Sequence, residues 1–145
     1  MKKRTVILSL LVFTAMFLVC GLFAASNYAQ LEPVPDRLSV LWTSGDPDVA
    51  HKVCFMYTHN AQKAKWFDEV TLIVWGPSSR LLAGDKSIEA AVKAMLADGV
   101  IVKACQACAD LYGVSDDLRK MGIEVKYMGS PLTDMLKSDY KVLTF

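Results

Sequence analysis

The chain lacks most of the features that would announce an activity. It has no glycine-rich dinucleotide fingerprint and no P-loop, so neither Thr43-Ser-Gly45 nor Gly76-Pro-Ser-Ser79 reads as a phosphate cradle. Arg80, beside the second of these, could hold an anion, although a solvated arginine is the simpler reading. No internal repeat or low-complexity tract is evident. Basic surplus is also missing. Sixteen Lys and Arg face fifteen Asp and Glu; setting aside Lys2, Lys3 and Arg4 at the start leaves thirteen against fifteen, near −2. Nothing in that balance would draw nucleic acid or an anionic membrane surface.

Cysteine is scarce. Of four in the chain, Cys54, Cys105 and Cys108 lie beyond the N-terminal segment. An odd number argues against a disulfide scaffold. A Cys105–Cys108 bridge would close too small a loop to restrain the unfolded chain much, so its purpose would be chemical. A structural zinc wants four ligands, and a single CxxC falls short unless Cys54 and His51 supply the rest. No metal and no cofactor are therefore expected.

What is present begins with Met1-Lys-Lys-Arg4, followed by an uncharged run from Thr5 to Ala25. A basic start and an apolar stretch ending in small residues read as a signal peptide over residues 1–29, cleaved after Ala29. The expectation is a periplasmic or secreted protein, anchored in the membrane if the segment is retained. Cys20 follows Val19, which is not small, so it reads as an ordinary apolar residue rather than a lipid attachment point. Residues 30–37, with two prolines and two acids, read as a linker, and 38–145 as one domain.

Five short β-branched and aromatic runs bounded by Gly and Pro predict strands at 38–42, 70–75, 100–102, 123–127 and 141–145. Helical patterns lie between them. Asp46-Pro47 opens one that runs to about Ala64, with Val49, Val53, Met56 and Tyr57 at helical spacing. Others are Ser87–Ala97, Cys108–Tyr112, Ser115–Met121 and Pro131 to about Lys137. Strands alternating with helices predict an α/β fold with a mostly parallel five-stranded sheet, covered on both faces. In such sheets ligands bind outside the carboxyl ends of the strands. The loops there are Thr43–Pro47, Gly76–Arg80, Ala104–Cys108 and Gly129–Pro131.

One of them carries the chemistry. In Val100-Ile-Val-Lys-Ala-Cys105-Gln-Ala-Cys108-Ala-Asp-Leu-Tyr-Gly113, a buried strand turns into a helix at a cysteine. A thiol at a helix N-terminus meets unpaired N–H groups and the positive end of the dipole, and both favour the nucleophilic thiolate. Cys108 stands where it could resolve what Cys105 captures. The plainer alternative is two small apolar residues packing the junction. Cys54, among Val53, Met56 and Tyr57, reads as core. His51 and His59 read as exposed polar positions, and Trp42, Trp66 and Trp75 as core or subunit-contact aromatics.

Three stretches resemble the DsrE/DsrF-like sulfur-relay family: Val70-Thr-Leu-Ile-Val-Trp-Gly-Pro-Ser-Ser-Arg-Leu-Leu82, Ala104-Cys-Gln-Ala-Cys-Ala-Asp-Leu-Tyr-Gly-Val114 and Lys141-Val-Leu-Thr-Phe145. The resemblance implies a flavodoxin-like three-layer sandwich that assembles as homotrimers or homohexamers. It also implies that Cys105 matches the cysteine on which some relatives carry sulfur as a persulfide, and that Cys108 matches the second cysteine of a CxxC-bearing subset. The expected function is an exported sulfur carrier, sulfurtransferase-like, working through a Cys105 persulfide or mixed disulfide. Its donor and acceptor would be a protein or a small sulfane-sulfur compound. The other readings left open are a non-catalytic oligomeric binding module with structural cysteines and a periplasmic thiol-disulfide redox partner.

Overall fold

A computed structural model describes residues 34–145. The expected signal peptide (1–29) and the first part of the linker lie outside the described residues. The described unit is an α/β sandwich built on five parallel strands: β1 (Arg37–Trp42), β2 (Glu69–Val74), β3 (Ile101–Cys105), β4 (Glu124–Lys126) and β5 (Tyr140–Thr144). Their order across the sheet is β4-β3-β2-β1-β5. Every predicted strand is present within a few residues, and the sheet is wholly parallel.

The helices are α1 (Pro47–Val49), α2 (Met56–Lys63), α3 (Pro77–Gly84), α4 (Lys86–Ala97), α5 (Gln106–Leu111), α6 (Ser115–Lys120) and α7 (Gly129–Leu136). A π-helical stretch, Ala50–Phe55, joins α1 to α2. Asp46 caps α1 as its sequence position suggests, accepting from Asp48 N–H at 2.8 Å. Among the described residues no helix is long and apolar enough to cross a membrane.

Crossover handedness sets the layers. Three steps in one direction, β1 to β4, put α1–α6 on one face, while the return from β4 to β5 puts α7 on the other. Core packing follows this division. Leu38, Val40, Trp42, Val70, Leu72, Val74, Val102 and Ala104 point into a large core with Leu82, Ile88, Val92 and Leu118. Alternate strand residues point the other way, where Ile73, Cys105 and Met128 are buried with Leu132 and Met135 against them. β2 lies in the middle of the sheet and is buried from Val70 to Val74, so its run is continuously apolar or nearly so rather than alternating.

Two local expectations need correction. Val53 and Met56 do not form the inward face of the first helical region; they are exposed, and Ala50, Cys54, Phe55, Thr58 and Ala61 face the sheet instead. The π-turn brings Cys54 and the neighbouring Phe55 inward together, with Phe55 edge-on to Trp42 at 4.8 Å. Small residues along the rest of this face let the helix approach closely. The second correction is at Gly76–Arg80, read as a loop, where only Gly76 turns the chain. Its φ of 67° suits glycine, and Pro77 starts α3 at once.

The Ser78 hydroxyl holds this turn to the sheet. It is fully buried, donates to the Trp42 carbonyl at 2.7 Å and accepts the Trp75 N–H at 3.0 Å. Ser78→Ala would take one hydrogen bond from each of these groups and leave them the bond they make to each other at 3.0 Å. The expected loss is about 0.5–1.5 kcal/mol in urea unfolding, with the fold retained. An unchanged midpoint would remove Ser78 from this role.

Candidate functional site

Adjacent strands β3 and β4 send their following helices to opposite faces. Their carboxyl ends therefore flank the crevice where parallel sheets hold ligands. Cys105 is the last residue of β3, paired in register with Lys126 of β4. It is also the N-cap of α5, with extended backbone (φ −71°, ψ 113°) that lets the chain leave the strand and begin the helix in one residue. Cys108 lies in the first turn of α5. It packs with Trp75, Leu41, Leu132 and Met135 around Cys105, so the pair straddles the rim of the sheet. No disulfide joins the two cysteines, Cys105 being 4% exposed and Cys108 half-buried.

The electrostatics of the two thiols are linked. Burial pushes the Cys108 thiol up, and its hydrogen bond to Cys105 pushes it further in the same direction. The backbone N–H of Gly76 and that of Cys108 itself pull it part of the way back. Cys108 therefore holds its proton beside Cys105 rather than competing to ionise. Gly76 belongs to this site although only its backbone takes part. The sequence offered a Gly-Pro pair after β2, but nothing in it said that this turn reaches the helix after β3.

Other candidates fall elsewhere. Cys54 is fully buried, and its thiol is pushed up to about 12 by that burial, against a smaller opposing effect of the Thr58 hydroxyl. His51 Nε2 lies 2.7 Å from Ser87 Oγ, and His59 Nε2 lies 2.6 Å from Asp98 Oδ2. Neither histidine joins the cysteine pair. Trp42 is core, Trp75 borders the cysteines, and Trp66 is largely exposed against Tyr57 at 5.8 Å. Arg80 is exposed on α3, its guanidinium 5.3 Å from the Tyr112 ring centre. Among the described residues no group of three or more His, Cys, Asp or Glu gathers as metal ligands.

A family model described as DsrE/DsrF-like matches residues 52–145, which includes both cysteines and three of the strand–helix junctions. The chain belongs to the DsrE/DsrF-like family. Among solved structures it is similar to a conserved protein of unknown function from Bacteroides thetaiotaomicron. The TM-score is 0.73 at 35% identity, covering 76% of this chain and 95% of that one. It is also similar in fold to the ychN protein from E. coli, with a TM-score of 0.59 at 18% identity, covering 77% and 100%. The comparison with curated proteins finds no match.

Two measurements test these thiol environments. The unfolded Cys54 thiol ionises near its usual value of 9, whereas the folded one stays protonated to about 12. Stability from this group is thus intact below pH 9 and lost as pH rises toward 12, by about 4 kcal/mol across the window. In Cys54→Ala, the slope of unfolding free energy against pH over that range should fall by up to about one proton; an identical slope would refute the assignment. For Cys108, Cys105→Ala removes the upward influence of the neighbouring thiol and leaves that of burial. Iodoacetamide labelling of Cys108, followed by peptide mass, should then begin at lower pH than in the wild type.

Proposed function

We propose that this protein is a sulfur carrier whose Cys105 accepts a sulfane sulfur and holds it as a persulfide. The observation that carries the reading is the junction itself: Cys105 ends a central-sheet strand at the ligand-binding rim, with the protonated Cys108 thiol against it. In the loading step the Cys105 thiolate attacks the sulfane sulfur of a donor R–S–S⁻. A Cys105–S bond forms, the donor's S–S bond breaks, and R–S⁻ leaves with the electron pair. The persulfide is then passed on by attack of an acceptor thiolate on its outer sulfur, which restores Cys105. Alternatively, Cys108 loses its proton and attacks Cys105 Sγ. Hydrosulfide leaves and a Cys105–Cys108 disulfide remains. No general base is needed, because the thiolate is the nucleophile.

Membership of the DsrE/DsrF-like family supports a sulfur-relay-related role. The low exposure of Cys105 means that a donor must reach it past Cys108 and α7. The proposal extends to an exported protein with a mature start at Gln30 and to a homotrimer or homohexamer that supplies the working state.

Intact mass after incubation with polysulfide should show a gain of one sulfur atom, absent in Cys105→Ser and retained longer in Cys108→Ser. The contact between two free thiols favours a second reading, a thiol-disulfide redox partner. It predicts loss of two hydrogens on mild oxidation without sulfur uptake. Neither change would leave only a binding module with structural cysteines. N-terminal sequencing of the exported fraction should begin at Gln30, and an intact Met1 there would overturn the cleavage site.

A further inference from the structure

The carboxyl rim of β3 gathers more sulfur than its two thiols. Cys105 and Cys108 are close enough to share a hydrogen bond between their side chains. On the α7 face of the sheet a thioether is buried with them. Met128 stands two residues beyond Lys126, the register partner of Cys105, and is fully buried in one cluster with Cys105 and Ile73. Cys108 packs against the same cluster. Met135 borders it too, but its sulfur accepts from the Ser39 hydroxyl at 3.1 Å. Ser39 is level with Thr71 and Ile101, and Ile101 lies roughly 13 Å back along β3 from Cys105. Two thiols and the Met128 thioether are therefore the sulfurs left at the rim.

Such a donor set discriminates between metal ions. Among the described residues no third His, Cys, Asp or Glu joins the cysteine pair. Both histidines are held elsewhere, His51 at Ser87 and His59 at Asp98. Oxygen-seeking cations such as magnesium and calcium find no ligand set here, and zinc lacks the four ligands of a closed site. A soft, low-coordinate monovalent ion is different, since thiolate and thioether sulfurs are the donors that select Cu(I). The surroundings suit it as well. Ile73, Leu41, Trp75 and Leu132 form an apolar shell around the sulfurs. The Gly76 N–H and that of Cys108 itself are directed at the Cys108 sulfur. Donors of this kind orient a metal-bound thiolate and take up part of its charge. Cys108 is the half-buried member of the pair, so an ion enters through it and passes inward to Cys105.

We propose that Cys105, Cys108 and Met128 form a binding site for Cu(I). The site goes beyond the sulfur-carrier reading and does not depend on it. On binding, each thiol gives up its proton to solvent and forms a sulfur–copper bond. The Met128 sulfur adds a lone pair as a neutral third donor. Copper enters and stays as Cu(I), so no oxidant or reductant takes part. Two thiolates and one monovalent ion leave a net charge of minus one, and the N–H groups of Gly76 and Cys108 face it. Copper and a sulfane sulfur compete for Cys105, so the two occupants exclude each other.

The experiment titrates the reduced protein, without oxygen, against Cu(I) held by the coloured chelator bathocuproine disulfonate. One equivalent of copper per chain should leave the chelator, and X-ray absorption should show a first shell of sulfur alone. Cys105→Ser and Cys108→Ser should each weaken binding by ~100-fold or more, the upper end of what losing even a supporting group costs a metal site. Met128→Leu keeps the core volume, and should weaken binding about tenfold and take one sulfur from the shell. Cys54→Ala should bind like the wild type. One equivalent of Cu(I) should also protect Cys108 of the wild type from iodoacetamide, read by peptide mass, which requires no variant to fold. Copper retained by the Cys105→Ser, Cys108→Ser double variant would overturn the site. So would unprotected Cys108 in the copper-loaded protein, or a wild type that draws no copper from the chelator. Wild-type affinity in Met128→Leu would overturn the three-sulfur centre. Copper binding is read without any sulfur donor, so failure of the carrier reading leaves this result standing, and the reverse holds equally.

Discussion

The Ser78 hydroxyl sits between the last residues of β1 and β2, where the Trp75 N–H also donates to the Trp42 carbonyl at 3.0 Å. The two central strands are thereby closed at the same level, and the chain is left one residue, Gly76, in which to turn into α3. A left-handed glycine followed by proline makes that turn without strain and starts the helix immediately. The position of α3 then decides what reaches the cysteines. If α3 began later or at another angle, neither the Gly76 N–H nor Arg80 would lie beside α5.

The cysteine junction depends on the same edge. A parallel sheet of this order has one place where neighbouring strands send their chains to opposite faces, and β3 enters it with Cys105 as its last residue. Cys105 is buried on the α7 side of the sheet, while Cys108 follows on the helix that covers the opposite side. The pair can therefore touch across the rim while differing in access. Desolvation and the neighbouring sulfur keep the proton on Cys108, leaving Cys105 as the atom with a hydrogen-bond donor beside it. Cys54 shows the contrast: it is buried, raised to about 12, and far from any such partner chemistry.

Much of this was legible in the residues. The strands announce themselves because β-branched runs such as Val70–Val74 are bounded by turn residues, and α4 because it is amphipathic from Ser87 to Ala97 and stops before Gly99; its Asp85 cap emerges only in the structure. The first helical region was legible as a helix but not in its orientation. Val53 and Met56 look like an inner face by spacing, yet the smaller Ala50, Cys54 and Ala61 pack on the sheet. Periodicity reports which residues share a face, and it cannot say which of two plausible faces fits closer to the strands. The π-turn has no signature in composition, and α3 was hidden behind a Gly-Pro pair that ordinarily marks a loop.

By itself the sequence determined the alternation of elements, the parallel sheet, the family and the single CxxC at a strand-to-helix junction. These are local or pattern properties, set by side-chain period, turn residues and caps. Tertiary structure decided everything that depends on which distant segments meet. It brought Gly76 to Cys108 and Arg80 to Tyr112, gave the two cysteines different burial, and set Cys108, its thiol pushed up by burial, beside Cys105. Such pairings arise from crossover geometry and from one buried hydroxyl holding α3 in place, which no spacing within the chain encodes directly.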